Sequence, residues 1–154
     1  MDELVRHSSF DRVGVVLEHA VDYLAAIDSV LGGLTDEMLS PRAALLARSA
    51  VIDERRLLGA VERYLEDAPS VVLNTYVPYT ALLPPVQPPS GLPLSVASLA
   101  RWLISLHQSL ANLARQLSAS AAHTEGREAL SALAAQIEAH ERALSKSWVR
   151  LEDL

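Results

Sequence analysis

Apolar residues recur at heptad spacing in four segments of the chain, and this pattern predicts four amphipathic helices. We expect a hydroxyl of Ser8 or Ser9 to cap the first helix, with Asp11 in its opening turn and Gly32 and Gly33 ending it. The core-facing stripe of this first helix holds Val13, Leu17, Ala20, Leu24, Ile27 and Leu31. The third stripe is equally apolar and holds Val96, Leu99, Leu103, Leu106, Leu110, Leu113 and Leu117. Neither of these two stripes therefore places a carboxylate in the core.

The second predicted helix carries an acidic residue in the middle of its apolar stripe. Its start is marked by Ser40 followed by Pro41, a capping hydroxyl before a proline at the first helical position, and it runs to about Leu65 or Glu66. The stripe holds Ala47, Ala50, Glu54, Leu57, Val61 and Tyr64. A buried carboxylate is costly unless it is paired, protonated or bound to a metal ion. Glu54 is therefore the first candidate for a site.

The fourth predicted helix adds an imidazole to its own stripe. We expect Thr124 to cap this helix, whose stripe holds Leu130, Leu133, Ile137, His140, Leu144, Ser147 and Leu151. His107 lies one residue beside the third stripe, so we expect it at the rim of the core. The pattern thus places one carboxylate, Glu54, and one imidazole, His140, inside the core.

A long segment separates the second and third helices, and no residue from Ala68 to Ala100 carries a formal charge. Residues 67–94 contain every proline except Pro41, which excludes a regular helix, and they are too apolar for a solvated linker. We interpret them as an extended crossover that joins two parallel helices at opposite ends of a bundle. The side chains expected to pack against the bundle are Val71, Val72, Leu73, Tyr76 and Tyr79.

Composition supports a single all-α domain over residues 1–154, with half of the residues apolar and only 5% aromatic. A net charge of −6 argues against partners such as nucleic acid or an anionic membrane. The absence of cysteine excludes disulfides, thiolate catalysis and Cys-based metal sites. The polar beginning of the chain, MDELVRHSSF, and the lack of an 18-residue apolar run predict a cytoplasmic protein.

Two short loops around one long crossover match the helix order of ferritin-like proteins. The stretch ERRLLGAVERYLEDAPSVVLNTYVPYT, in Glu54–Thr80, and IEAHERAL, in Ile137–Leu144, resemble small bacterial ferritin-like and rubrerythrin-like proteins. The resemblance implies an all-α four-helix bundle of ferritin-like topology.

The same resemblance implies a particular metal chemistry, from which this chain departs. Di-iron members use a Glu from each of two helices and Glu-x-x-His from the other two. Here Leu57 stands where the histidine would follow Glu54, and Ile137 stands where the glutamate would precede His140. A degenerate site is therefore expected, made of Glu54 and His140. Accessory ligands, should the side chains reach inward, are Glu18, His107 and Glu141.

Two main hypotheses for the function follow. The first is a structural or interaction module without oxidase activity, in which Glu54 and His140 pair with each other and no cofactor is needed. The second is a metal-handling or redox protein that holds one iron, manganese or zinc ion at Glu54 and His140. A third hypothesis is a protein that binds a small molecule in the space where metals would lie, with Tyr76 and Tyr79 covering that space. We further expect a homodimer, formed through helix faces or the uncharged crossover, and allow for a protein partner not yet identified.

Overall fold

A computed structural model describes residues 10–79 and 83–154, and its predominantly helical content confirms the all-α prediction. Four of the helices are long, and one short helix and a two-stranded ribbon accompany them. The helices are α1 (Val13–Gly32), α2 (Pro41–Asp67), α3 (Ser70–Leu73), α4 (Val96–Ser120) and α5 (Thr124–Glu152). The strands are β1 (Phe10–Arg12) and β2 (Tyr76–Pro78).

Local sequence signals set most of the helix ends. The Ser40 hydroxyl accepts a hydrogen bond from the Ala43 amide at 3.1 Å, with Pro41 at the first helical position, as predicted. Gly33 follows the last residue of α1. Two predicted starts were wrong: Asp11 lies in β1, so α1 begins only at Val13, and His123 rather than Thr124 occupies the cap position of α5. Ser8 and Ser9 lie outside the described residues.

The crossover contains short regular elements rather than one extended segment. The α3 helix fits between Pro69 and the next proline, and β2 pairs antiparallel with β1, Asp11 opposite Val77. Because neighbouring residues of a strand face opposite sides, Val77 is buried while Tyr76 is 61% exposed. The predicted packing of Tyr76 was therefore wrong, and so was that of Val71, which is exposed on α3, whereas Tyr79 is buried as expected.

Contacts between helix ends give the direction of each long helix. The Ser40 amide donates to the Leu94 carbonyl at 2.8 Å, so α2 and α4 begin at the same end. The Ser118 hydroxyl donates to the Arg127 carbonyl at 2.9 Å, which places the end of α4 beside the start of α5. Gly126 lies so close to Val13 that an added Cβ would be 3.3 Å from its Cγ2, so α1 and α5 start together. Thus α2 and α4 are parallel to each other and antiparallel to α1 and α5.

The core lies between the long helices and is filled mainly by Leu, Ala, Val and Ile. All six stripe residues of α1 are buried, as are five of the six predicted for α2, Glu54 among them. Within residues 10–79 and 83–154, no helix combines the length and hydropathy needed to cross a membrane. The interior is thus apolar around a small number of polar side chains, which define the site.

Candidate metal centre

Glu54 lies in the middle of α2 and has no solvent-exposed surface. Its helix has a capped start and an apolar stripe that faces the core, and this stripe carries the carboxylate inward. A charged group with no access to water needs partners that replace its hydration. The structure provides two, one on α4 and one on α5.

Each oxygen of the Glu54 carboxylate contacts a different histidine. His107 Nε2 lies 2.9 Å from Oε1, and His140 Nε2 lies 3.0 Å from Oε2. The two imidazole rings are 4.6 Å apart between centroids and tilted by 58°. Glu54 and His140, whose pairing was one of the hypotheses drawn from the sequence, are thus in contact, and His107 joins them from a third helix.

The prediction that His107 lies at the rim was wrong, because its exposure is 0%. The buried face of α4 is wider than the leucine stripe and includes a second row of mostly small residues beside it. This row holds Ala100, His107, Ala111, Ala114 and Ser118. The alanines at helical spacing on both sides of His107 were the sequence signal that could have placed it inside.

A backbone contact fixes which nitrogen of His107 carries hydrogen. His107 Nδ1 lies 2.7 Å from the Leu103 carbonyl oxygen, which can only accept, so Nδ1 donates. In a neutral ring Nε2 then has a lone pair, and this lone pair faces Oε1 of Glu54. Two acceptors repel each other, so either a proton or a metal ion is needed between them. Histidines that bind metals commonly donate their other nitrogen to a backbone carbonyl in this way.

The local electrostatics favour the ionised form of Glu54. Burial would raise the pKa of its carboxyl group, but hydrogen bonds and positive charge from His107 and His140 outweigh burial and lower the pKa. The carboxylate is therefore available as an anionic ligand at neutral pH. A divalent cation would compensate its charge in the same place as a protonated imidazole.

The three side chains are close enough to bind one metal ion. Their ligand atoms all lie within 4.8 Å of one another. An ion with bonds of about 2.0–2.2 Å holds its ligand atoms within about 4.4 Å of one another, so small side-chain rotations suffice. Two imidazole nitrogens and one carboxylate oxygen suit Fe²⁺, Zn²⁺ and related ions. The site is nearly closed, since only the His140 side chain, 11% exposed, reaches solvent.

The remaining accessory candidates differ in position. Glu18 is exposed on α1 and takes no part in the group of three. Glu141 follows His140 on α5, and its Oε1 is buried without a hydrogen-bond partner among the described residues. Burial raises the pKa of the Glu141 carboxyl group, and the two imidazoles act on it in the opposite direction. Glu141 therefore lies beside the centre but outside the group itself.

The ligands present in the described ranges do not fit a pair of irons. Such a pair needs about six protein ligands, with bridging carboxylates from several helices. The group here has one carboxylate and two imidazoles, and α1 faces the core with an apolar stripe. The geometry fits a single ion.

Protein-family models, curated proteins and solved structures were all compared with this chain, and none of them matches it.

Proposed function

We propose that this protein binds one divalent transition-metal ion through Glu54, His107 and His140, and that metal handling or redox chemistry is its function. The observation that carries the proposal is the fixed orientation of His107. Its Nδ1 donates to the Leu103 carbonyl, and its Nε2 is directed at the Glu54 carboxylate 2.9 Å away. A buried arrangement of this kind is stable only with a cation or proton at its centre.

The ferritin-like arrangement belongs to the same proposal. It is supported by the two antiparallel pairs, α1 with α2 and α4 with α5, and by the crossover that joins the parallel helices α2 and α4. In such bundles metal sites are built in the core from side chains of facing helices, and Glu54, His107 and His140 come from three of them. Homodimerisation, a cytoplasmic location and an unidentified protein partner stay predictions.

Isothermal titration of the metal-free protein with Zn²⁺ tests the proposal. The wild type is expected to bind one ion per chain. Glu54→Gln, His107→Ala and His140→Ala are each expected to weaken binding at least about 100-fold, because changes to residues that merely support ligands already cost 10- to 100-fold. His123→Ala is the matched control: this histidine is exposed at the start of α5, and its removal should leave affinity and stoichiometry unchanged.

The rival hypothesis, a structural or interaction module without a metal, makes the opposite prediction. In that case the Glu54 carboxylate and the two imidazoles satisfy one another with a shared proton. Wild-type protein would then bind Zn²⁺ weakly and without a defined stoichiometry. Equal binding by the wild type and all three ligand variants would also contradict the proposal, because the ion would then bind elsewhere.

A further inference from the structure

Glu141 has a buried oxygen that the fold does not satisfy. Its Oε1 is inaccessible to water, and no donor within the described ranges hydrogen-bonds to it. Buried polar atoms of this kind are uncommon, since each costs free energy without a partner. The contrast with Glu54 is informative, because both oxygens of that carboxylate have partners. The unsatisfied oxygen calls for a donor that the polypeptide does not provide.

Glu141 lies next to the candidate metal centre. It is the residue after His140, and both His107 and His140 are close enough to act on its charge. Its carboxylate is nevertheless not one of the three groups whose ligand atoms converge. Glu141 is thus near enough to influence an ion at the centre, but it is not placed to bind the ion directly.

Glu141 also lines a surface groove between α4 and α5. The groove is open, has a volume of about 580 Å³, and is lined in part by Gln108, Glu138 and Glu141. Gln108 follows His107 just as Glu141 follows His140, so the residues after both histidines border the same groove. Glu54, His107 and His140 do not themselves line the groove, and Glu141 is a groove residue that directly follows a ligand of the centre along α5.

Three protein ligands leave coordination positions free on a divalent ion. Structural zinc sites are closed by four protein ligands, whereas catalytic sites keep a position for water or substrate. Water on such an ion is a strong hydrogen-bond donor. A water ligand directed toward the groove would provide the donor that Glu141 Oε1 lacks.

We infer that the ion keeps an exchangeable position facing the groove between α4 and α5, and that Glu141 orients a water molecule there by accepting its hydrogen bond. The inference rests on the proposed function. Glu141 is a positioning residue, and the exchangeable position accepts small anionic ligands in place of water. A negative Glu141 disfavours such anions, so its neutralisation should strengthen their binding.

Co²⁺ as the probe ion and azide as the probe anion test this inference. Azide is expected to shift the visible absorption of the Co²⁺-loaded wild type in a saturable manner. Glu141→Gln should retain one Co²⁺ per chain and bind azide at least about threefold more tightly, because the like charge is removed. Glu138→Gln is the matched control: this carboxylate lines the same groove but is paired with Arg115, so azide affinity should not change.

The outcomes separate the two proposals. Failure of the wild type to take up Co²⁺ would overturn the metal site itself. Normal uptake with a spectrum that azide leaves unaltered would overturn only the exchangeable position. Loss of Co²⁺ binding in Glu141→Gln would make Glu141 a ligand, and an azide affinity equal to that of the wild type would remove its positioning role; either result contradicts the inference.

Discussion

Glu54→Ala is expected to lower the free energy of unfolding of the metal-free protein by about 3–5 kcal/mol, the usual cost of breaking a buried charged pair. The substitution leaves the Nε2 atoms of His107 and His140 without their partner inside the core. His107 has no exposed surface, so water cannot replace the carboxylate without rearrangement of the helices. Urea unfolding followed by circular dichroism measures the change.

Two further variants separate the role of the buried network from a general effect of charge. Glu18→Ala removes an exposed carboxylate from α1 and should alter stability by less than about 0.5 kcal/mol. Combining Glu54→Leu with His107→Leu and His140→Leu should recover most of the loss, because no buried polar group then lacks a partner. A change below about 1 kcal/mol in Glu54→Ala would contradict the account of the network.

Saturating Zn²⁺ is expected to produce the second large effect, a rise in the melting temperature of the metal-free wild type. An ion present at 100 times its dissociation constant adds about 2.7 kcal/mol of stability when it binds only the folded state. For a chain of this size that gain corresponds to a rise of about 5–11 °C. A chelator in excess should reverse the rise, and differential scanning calorimetry measures both.

Melting temperatures of variants, measured with and without Zn²⁺, show where the stabilising ion binds. His107→Ala is expected to melt at the same temperature with and without Zn²⁺, although its starting stability is lower. His19→Ala removes an exposed histidine of α1, and this variant should keep the full rise. An equal rise in His107→Ala would place the stabilising ion outside the candidate centre.

Helix periodicity was sufficient to predict most of the core and to place two of the three site residues inside it. Glu54 and His140 each fall on an apolar stripe, so the pattern placed both inside, but their contact depends on the packing of α2 against α5, which the structure provides. His107 did not follow, because a stripe one row wide, made mostly of leucines, leaves it at the edge of the core. An α-helix has 3.6 residues per turn and can bury two adjacent rows, and the alanine row carries His107 inward.

The crossover shows a different limit of prediction from sequence. Its apolar residues predicted contact with the bundle, but which of them face inward depends on the pairing of β2 with β1. That pairing joins Tyr76 to Arg12, residues far apart in the chain, and no local pattern reveals it. The same pairing explains why Asp11 is in a strand and why α1 starts at Val13.

The centre is assembled from three helices, which explains why no short sequence motif identifies it. Glu54, His107 and His140 are each isolated polar residues within apolar surroundings, separated by 53 positions from Glu54 to His107 and by 86 from Glu54 to His140. The three residues meet at the same height along the bundle only because α2 and α4 run parallel and α5 runs antiparallel to both. The function proposed here thus depends on the helix arrangement as much as on the ligands.

A single ion bound between Glu54, His107 and His140 can be located directly. Anomalous diffraction at the zinc edge, from crystals grown with one equivalent of Zn²⁺, is the most direct test. We expect one strong peak about 2.0–2.2 Å from His107 Nε2, His140 Nε2 and a Glu54 carboxylate oxygen. A map without this peak, in which Glu54 keeps both hydrogen bonds to the histidines, would contradict binding of the ion there.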